Sequence, residues 1–447
     1  MQRKISKQYF TTLGKAGAFF ISAFLLASPV SADDLVNIFN LAVENDPQIR
    51  QARAEYGASH TNISQSRSQL LPSISITGST ALQETSQDFS FSLSDSIQTK
   101  SYGLSIRQNL LDFEAWYSLQ ASKKSDLVSA TNLAISEQQL IQRVASAYFD
   151  VLRSQDNLAT FQAELDASER ILEQTRQRFE VGLIPITDVH ESQASYDLAR
   201  VNLLMEENSL HQRYEALEAI TGKSHSRIKS LTEDFPIVSV EPESLEEWVS
   251  VSQRNNLDLK AAQLNYESKD ESVKAAKAAL LPTLDVSAGY NWNDSGIAQF
   301  GFATPNGRNN VTLNLTIPLY MGGNNYARKR QAYYNRNASE EALLRTQRSS
   351  IQNTRNSYRN VENDVLTVAA RAQAIVSAQS QLEATEVGAE VGTRNIVDVV
   401  VAQRLLFQAL RDHANARYNY VIDTLNLKQA AGILNPQDII DLNAWLD

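Results

Sequence analysis

The sequence predicts an α+β membrane protein in which very long helices alternate with short β-hairpins, the whole arrangement occurring twice. Three observations carry that prediction. An internal duplication runs through the chain at an almost constant offset. After each Leu-Leu-Pro the apolar period changes from about 3.6 to 2, a helix giving way to a strand. A helical pattern far longer than a globular core needs then follows each hairpin.

The duplication is legible at many points. Asn45-Asp46 answers Asn255-Asn256, and Leu70-Leu71-Pro72 answers Leu280-Leu281-Pro282. Leu110 answers Leu319, and Thr221-Gly222 answers Ala431-Gly432. One architectural unit is used twice, with residues 33–242 and 243–447 as the two repeats of one intertwined domain.

Residues 1–32 read as a secretory signal peptide. Arg3, Lys4, Lys7 and Lys15 come before an apolar run, and Val30-Ser31-Ala32 supplies the small residues of a cleavage site. Removing those four basic residues from the 41 of the full chain leaves 37 against 51 acidic groups, a net charge of −14. Such an acidic exported chain is a poor partner for nucleic acid. With no cysteine there is no disulfide framework and no thiolate metal site. No segment after residue 32 approaches the ~20 apolar residues of a membrane helix, so any entry into lipid must use strands.

Each repeat opens with one helix, roughly 33–70 and 243–280, stopped by the proline that follows. The hairpins occupy 72–111 and 282–320. In the second, Leu284, Val286, Ala288, Tyr290 and Trp292 alternate with polar residues; so do Val311, Leu313, Leu315, Ile317 and Leu319 after a Gly/Asn/Pro-rich loop at 293–309. Tyr102, Leu104, Ile106 and Leu110 repeat the pattern in the first. Four strands of about 10–11 residues with one apolar face suit a transmembrane barrel. Four strands cannot close one alone, and an open edge is not tolerated in lipid, so the chain must oligomerise around a wet interior.

The long helical patterns span about 114–180 and 323–390, on the order of 100 Å each at ~1.5 Å per residue. Their narrow apolar seam, continued by Val399, Leu406, Leu410, Val421 and Leu425, fits a coiled-coil wall better than a globular core. Residues 223–245 and 428–447 break the pattern and suggest a small mixed belt partway along the helices.

An eight-residue stretch closes each long pattern: Val181-Gly-Leu-Ile-Pro-Ile-Thr-Asp188 and Val391-Gly-Thr-Arg-Asn-Ile-Val-Asp398. Gly182 and Gly392 can take the left-handed conformation that ends a helix. The Asn395–Asp398 spacing resembles a capping box at the start of the next one. Both stretches therefore read as helix-turn-helix corners.

Taken with Ala414-Asn-Ala-Arg-Tyr-Asn-Tyr420, the Val391–Val399 stretch resembles the TolC-type outer-membrane efflux proteins, and the resemblance covers the whole chain after the signal peptide. It implies a homotrimer: a 12-stranded barrel, four strands from each chain, continuous with a long α-helical coiled-coil barrel across the periplasm of a Gram-negative bacterium. The function it implies is an exit duct for multidrug efflux and type I protein secretion. The implied partners are outer-membrane lipid, a periplasmic adaptor (membrane fusion protein) and an inner-membrane transporter of RND, ABC or MFS type. The family's periplasmic gate network falls on Gln177, Asp188 and Arg394, and one cation-binding ring at the constriction falls on Asp398. The second ring aspartate of the family falls on Val401, and its corner tyrosine on Ala389.

From the residues alone, Asp398 is equally a helix-start carboxylate, worth ~0.3–1 kcal/mol through the helix dipole. Arg394 and Asp188 could be ordinary surface charges, worth ~0–1 kcal/mol as a pair. Tyr102, Tyr290, Trp292 and Tyr320, near strand ends, are placed for an aromatic girdle at the membrane interface. His60, His190, His211, His225 and His413 have no metal-ligand spacing and are expected as solvated helix residues. No nucleophile, base and orienting group assemble in the sequence, so neither enzyme nor cofactor is expected. A periplasmic coiled-coil adaptor or structural rod would account for the helices but not for the paired amphipathic strands.

Overall fold

The computed structural model describes residues 32–88, 92–297 and 302–447; the predicted signal peptide lies outside them except for Ala32. The chain order is α1 (Leu35–Asn45), α2 (Pro47–Ser68), β1 (Ser73–Asp88), β2 (Ser92–Leu111), α3 (Phe113–Glu180) and α4 (Ile186–Thr221). The second repeat follows with α5 (Leu245–Asn255), α6 (Leu257–Ala278), β3 (Thr283–Ile297), β4 (Phe302–Thr316), α7 (Asn324–Glu390), α8 (Ile396–Ala430) and α9 (Pro436–Asn443).

Two expectations about these elements need correction. The opening helix of each repeat is two helices, because a cap residue interrupts it. Asp46 leaves helical geometry at ψ 119° and accepts from the Gln48 amide, with Pro47 at the first position of α2. Asn256, at ψ 123°, does the same for Leu259. Burial fixes both breaks: Asp46 bonds Arg143 on α3, and Asn256 donates to the Ala430 carbonyl at 3.0 Å.

The strands are also longer than 10–11 residues, running to 16, 20, 15 and 15. Much of the expected 293–309 loop is strand, paired from Thr283↔Thr316 to Ile297↔Phe302. The ladder continues where the apolar period stops, because the pairing is made by backbone amides and carbonyls and does not need an apolar face.

The sheet order is β1-β2-β3-β4, every pairing antiparallel. One face is polar: Ser75 and Ser105 hydroxyls meet at 2.7 Å, and Thr77, Asn291 and Asn310 lie on it. A Cβ added to Gly103 would sit 2.8 Å from both Thr77 Oγ1 and Asn291 Oδ1, so side chains cross over this glycine. The opposite face carries Ile74, Ile76, Leu104, Ile106, Tyr290, Val311 and Leu313, with Ile76 83% exposed. Burying such a side chain is worth ~1.5–3 kcal/mol, and among the described residues no element packs over this face. The outer edges of β1 and β4 are unpaired among the described residues.

The main apolar core lies at the belt, midway along the long helices. Leu35, Ile38, Tyr148, Phe149, Trp248, Val421 and Ile439 meet there with almost no exposure. Aromatic donors pin residues 223–244 onto the helices: Tyr148 to the Lys229 carbonyl at 2.7 Å, Tyr420 to Val238 at 2.8 Å, and Trp248 to Pro242 at 2.8 Å. Isolated bridges Asp33↔Ile228 and Leu231↔Leu446 make the belt mixed, as expected. His225 departs from expectation. It is buried outside any helix, its ring bonded to Asp33 Oδ2 and Thr221 Oγ1 at 2.8 Å each.

Away from the belt the helices share a thin seam. α3 packs on α2 and α4 along one flank and on α6 and α8 along the other, and α7 packs on α6 and α8. The two repeats thus interleave.

Candidate functional site

The corners stand at the ends of the long helices, and each closes as the sequence indicates. Gly182 has φ 77° and Gly392 φ 80°, a region other residues enter at ~1–2 kcal/mol. At the first corner the Gly182 amide donates to Phe179 O at 2.8 Å and the Leu183 amide to Arg178 O at 2.9 Å. At the second, the Thr393 and Arg394 amides both reach Gly388 O, at 2.8 and 3.0 Å.

The capping box forms at α8. The Asp398 amide donates to Asn395 Oδ1 at 2.8 Å, and the Asn395 amide to Asp398 Oδ2 at 3.3 Å. At α4 the cap position is Pro185, with no side-chain cap, so Asp188 is free of that duty.

Between the two corners of one chain lies a cleft of about 560 Å³, lined by Thr175, Arg178, Asp188, Glu390 and Arg394 among others. Asp188 and Arg394 share this cleft without bonding each other. Arg394, in the corner itself, instead has Nη1 3.9 Å from Asp398 Oδ2 in the first turn of α8, and both side chains are well exposed. Gln177 lies off the cleft and donates to Glu173 Oε1 at 2.9 Å. Val401 is exposed one turn after Asp398, while Ala389 packs against the Leu382–Val399 cluster.

Two contributors had been missed. Gly388 lies near the end of α7, where a Cβ would come within 2.7 Å of Arg394 Cγ; its absence seats that side chain. A glycine inside a helix pattern is costly and was the available signal. The second is an apolar cluster of Leu382, Val399, Ala402 and Leu406, which the heptad spacing only half revealed.

On the sheet, Tyr102 and Trp292 are register partners with ring centroids 5.5 Å apart. They mark where the apolar face ends, because the next residues on that face are Lys100 and Asp294, themselves paired in register. Tyr290 lies one row toward the helices, its hydroxyl 2.9 Å from where a Gly307 Cβ would be. Tyr320 is exposed beyond β4 at the helix end of the sheet. No helix is long and apolar enough to cross a membrane, and no group of three potential metal ligands occurs, among the described residues.

A model of the outer membrane efflux protein family matches residues 38–223 and 248–433, once per repeat. The chain is 38% identical over 431 residues to the outer membrane protein TolC of Vibrio cholerae, covering 96% of this chain and 97% of that one. It is 26% identical to the proteases secretion protein PrtF of Dickeya chrysanthemi, covering 96% and 95%. Among solved structures, the Campylobacter jejuni CmeC outer membrane channel superimposes with a TM-score of 0.76 at 16% identity, covering 92% of this chain and 90% of that one.

Proposed function

The chain belongs to the outer membrane efflux protein family, and from that premise we propose that it is the outer-membrane exit duct of drug efflux and type I protein secretion, assembled as a homotrimer. One observation carries the reading: a four-stranded sheet, apolar on one face and polar on the other, has open edges on β1 and β4. Those edges run in opposite directions, so β4 of one copy meets β1 of the next antiparallel. Three copies close twelve strands with the Ser/Thr/Asn face around water. The long helices continue the tunnel. The two repeats form one domain, since α3 of the first packs on α6 and α8 of the second.

In this duct Tyr102 with Trp292, and Tyr290, belong to the outer aromatic girdle and Tyr320 to the inner one. The corners meet at the periplasmic entrance. Gln177, Asp188 and Arg394 hold it shut by bonds between copies, and the three Asp398 carboxylates form one cation-binding ring. An adaptor and an inner-membrane transporter open it; the chain itself performs no catalysis and needs no cofactor.

The test is detergent purification followed by planar-bilayer recording. A trimer giving single-channel currents is expected, with Arg394→Ser raising the conductance and Asp398→Asn weakening block by multivalent cations. A monomer without ion flux would end this reading.

A further inference from the structure

Where α7 leaves the sheet, its two sides differ in chemistry. Arg328, Gln331 and Asn335 line a polar cleft shared with Glu114 and Ser118 of α3 and Ser272 of α6. In the duct this cleft continues the polar face of the sheet. Tyr326, Arg330 and Tyr333 fall on the opposite side of α7, because residues spaced by three, four and seven share one helix face.

That opposite side is aromatic and basic. Lys329 Nζ stands 5.5 Å over the Tyr326 ring, and Lys277 Nζ of α6 stands 5.3 Å over the Tyr333 ring. Tyr326, Arg330 and Lys277 are exposed. Duplication supplies a second set: Trp116 and Arg67 lie 210 residues before Tyr326 and Lys277, and both are exposed. Neighbouring cations are paired, Lys124 with Glu267 at 2.8 Å, Lys274 with Glu271 at 2.7 Å and Arg328 with Glu114 at 2.6 Å. Arg67, Lys277, Lys329 and Arg330 form no ion pair among the described residues. From Gly322 to Ser339 there are four basic residues and no acidic one, in a chain whose net charge is −10.

The apolar surface does not stop with the sheet. Leu319, Tyr320 and Met321 lead from β4 to α7 and are all exposed, Leu319 by 90%. At ~1.5 Å per residue, Lys329 and Arg330 lie about 8–9 Å along α7 from Asn324. The headgroup layer on each side of a bilayer core is about 5–8 Å deep, and long basic side chains reach back into it.

We propose, resting on the outer-membrane duct above, that these aromatic and basic side chains form a collar that binds anionic phospholipid headgroups of the leaflet nearest the long helices. The cations of α6 and α7 hold the phosphate, with Arg67 in the same role on the first repeat. The Tyr326 and Trp116 rings take the boundary between headgroup and acyl chain, and Leu319 and Met321 meet the chains. Unpaired cations without nearby carboxylates select an anionic headgroup over a zwitterionic one.

The assembled protein is purified in detergent and titrated with phosphatidylglycerol or with phosphatidylcholine, and bound lipid is counted by native mass spectrometry. Phosphatidylglycerol is expected to bind in preference. The triple variant Lys277→Gln, Lys329→Gln, Arg330→Gln should weaken its binding about tenfold. Lys223→Gln, Arg254→Gln, Lys260→Gln removes the same charge from exposed sites nearer the belt and should leave binding unchanged. Lys277→Arg with Lys329→Arg keeps the cations and should retain it. Equal affinity for the two lipids, an unaltered first triple variant, or equal loss in the second overturns the collar and leaves the duct standing. Displacement by millimolar inorganic phosphate overturns it too, since the ligand would then be the free anion. Wild-type protein recovered as a monomer without ion flux overturns the duct itself.

Discussion

The hairpins α3–α4 and α7–α8 descend from one duplicated unit, yet they are fastened by different chemistry. Near its corner α3–α4 is closed by a polar contact: Thr175 Oγ1 and Ser192 Oγ lie 3.2 Å apart, both almost wholly buried. At the matching place α7–α8 has the apolar cluster of Leu382, Val399, Ala402 and Leu406. Nearer the belt the contrast is one of charge. Arg213 on α4 lies 3.5 Å from Asp150 on α3. The position matching Arg213 is Asp423 on α8, and it faces Asp364 on α7. Burial first, and the Asp423 carboxylate second, push Asp364 up to about 6. Duplication thus preserved the backbone of the corner while leaving the side chains between the helices free to diverge. The second hairpin became held by apolar contact at its tip and strained by like charge near its base.

The largest expected effect comes from breaking the apolar fastening. Leu382→Ala should cost about 2–4 kcal/mol of local stability through lost burial and a cavity. Amide exchange across residues 391–400 should accelerate while residues 181–190 remain unchanged. Equal acceleration at both corners would show that they do not open separately.

The carboxyl pair gives a smaller, pH-dependent effect. A carboxyl whose folded value is raised holds its proton more tightly when folded. Its contribution is therefore fully present below the ordinary carboxylate value, ~3.9, and is lost as pH rises through about 6. α7–α8 packing near Asp364 should loosen between pH 4 and 7, and Asp364→Asn should flatten that dependence in thermal melts or in amide exchange of residues 360–368. The α3–α4 hairpin, with Arg213 at the corresponding place, should not respond in this way.

The smallest effect sharpens the comparison by exchanging the caps. Asn395→Ala should cost α8 about 1 kcal/mol. Pro185→Asn places a cap residue three positions before Asp188 and should stabilise α4 by a similar or smaller amount. Amide protection in the first turn of each helix measures both.

Much of this was legible in order along the chain. The Leu-Leu-Pro stops, the change of period after them, and the glycine corners with Asp398 in its capping box are local signals whose energies are spent within a few residues. The doubled pattern fixed the topology, because a repeat must bury the same faces twice. Polar strand ends were missed because Ser, Thr and Asn on both faces leave no period to read. The breaks at Asp46 and Asn256 were hidden because the apolar spacing runs through them, although their caps were present.

The sequence by itself determined the elements, their doubling and their turning points, since propensity, capping and period act between near neighbours. Only the tertiary structure decided that Asp364 meets Asp423, that Arg394 leans over Gly388 toward Asp398, and that His225 is buried against Asp33. Those pairings depend on which helices lie side by side and at what rotation, and packing over the whole chain settles both at once.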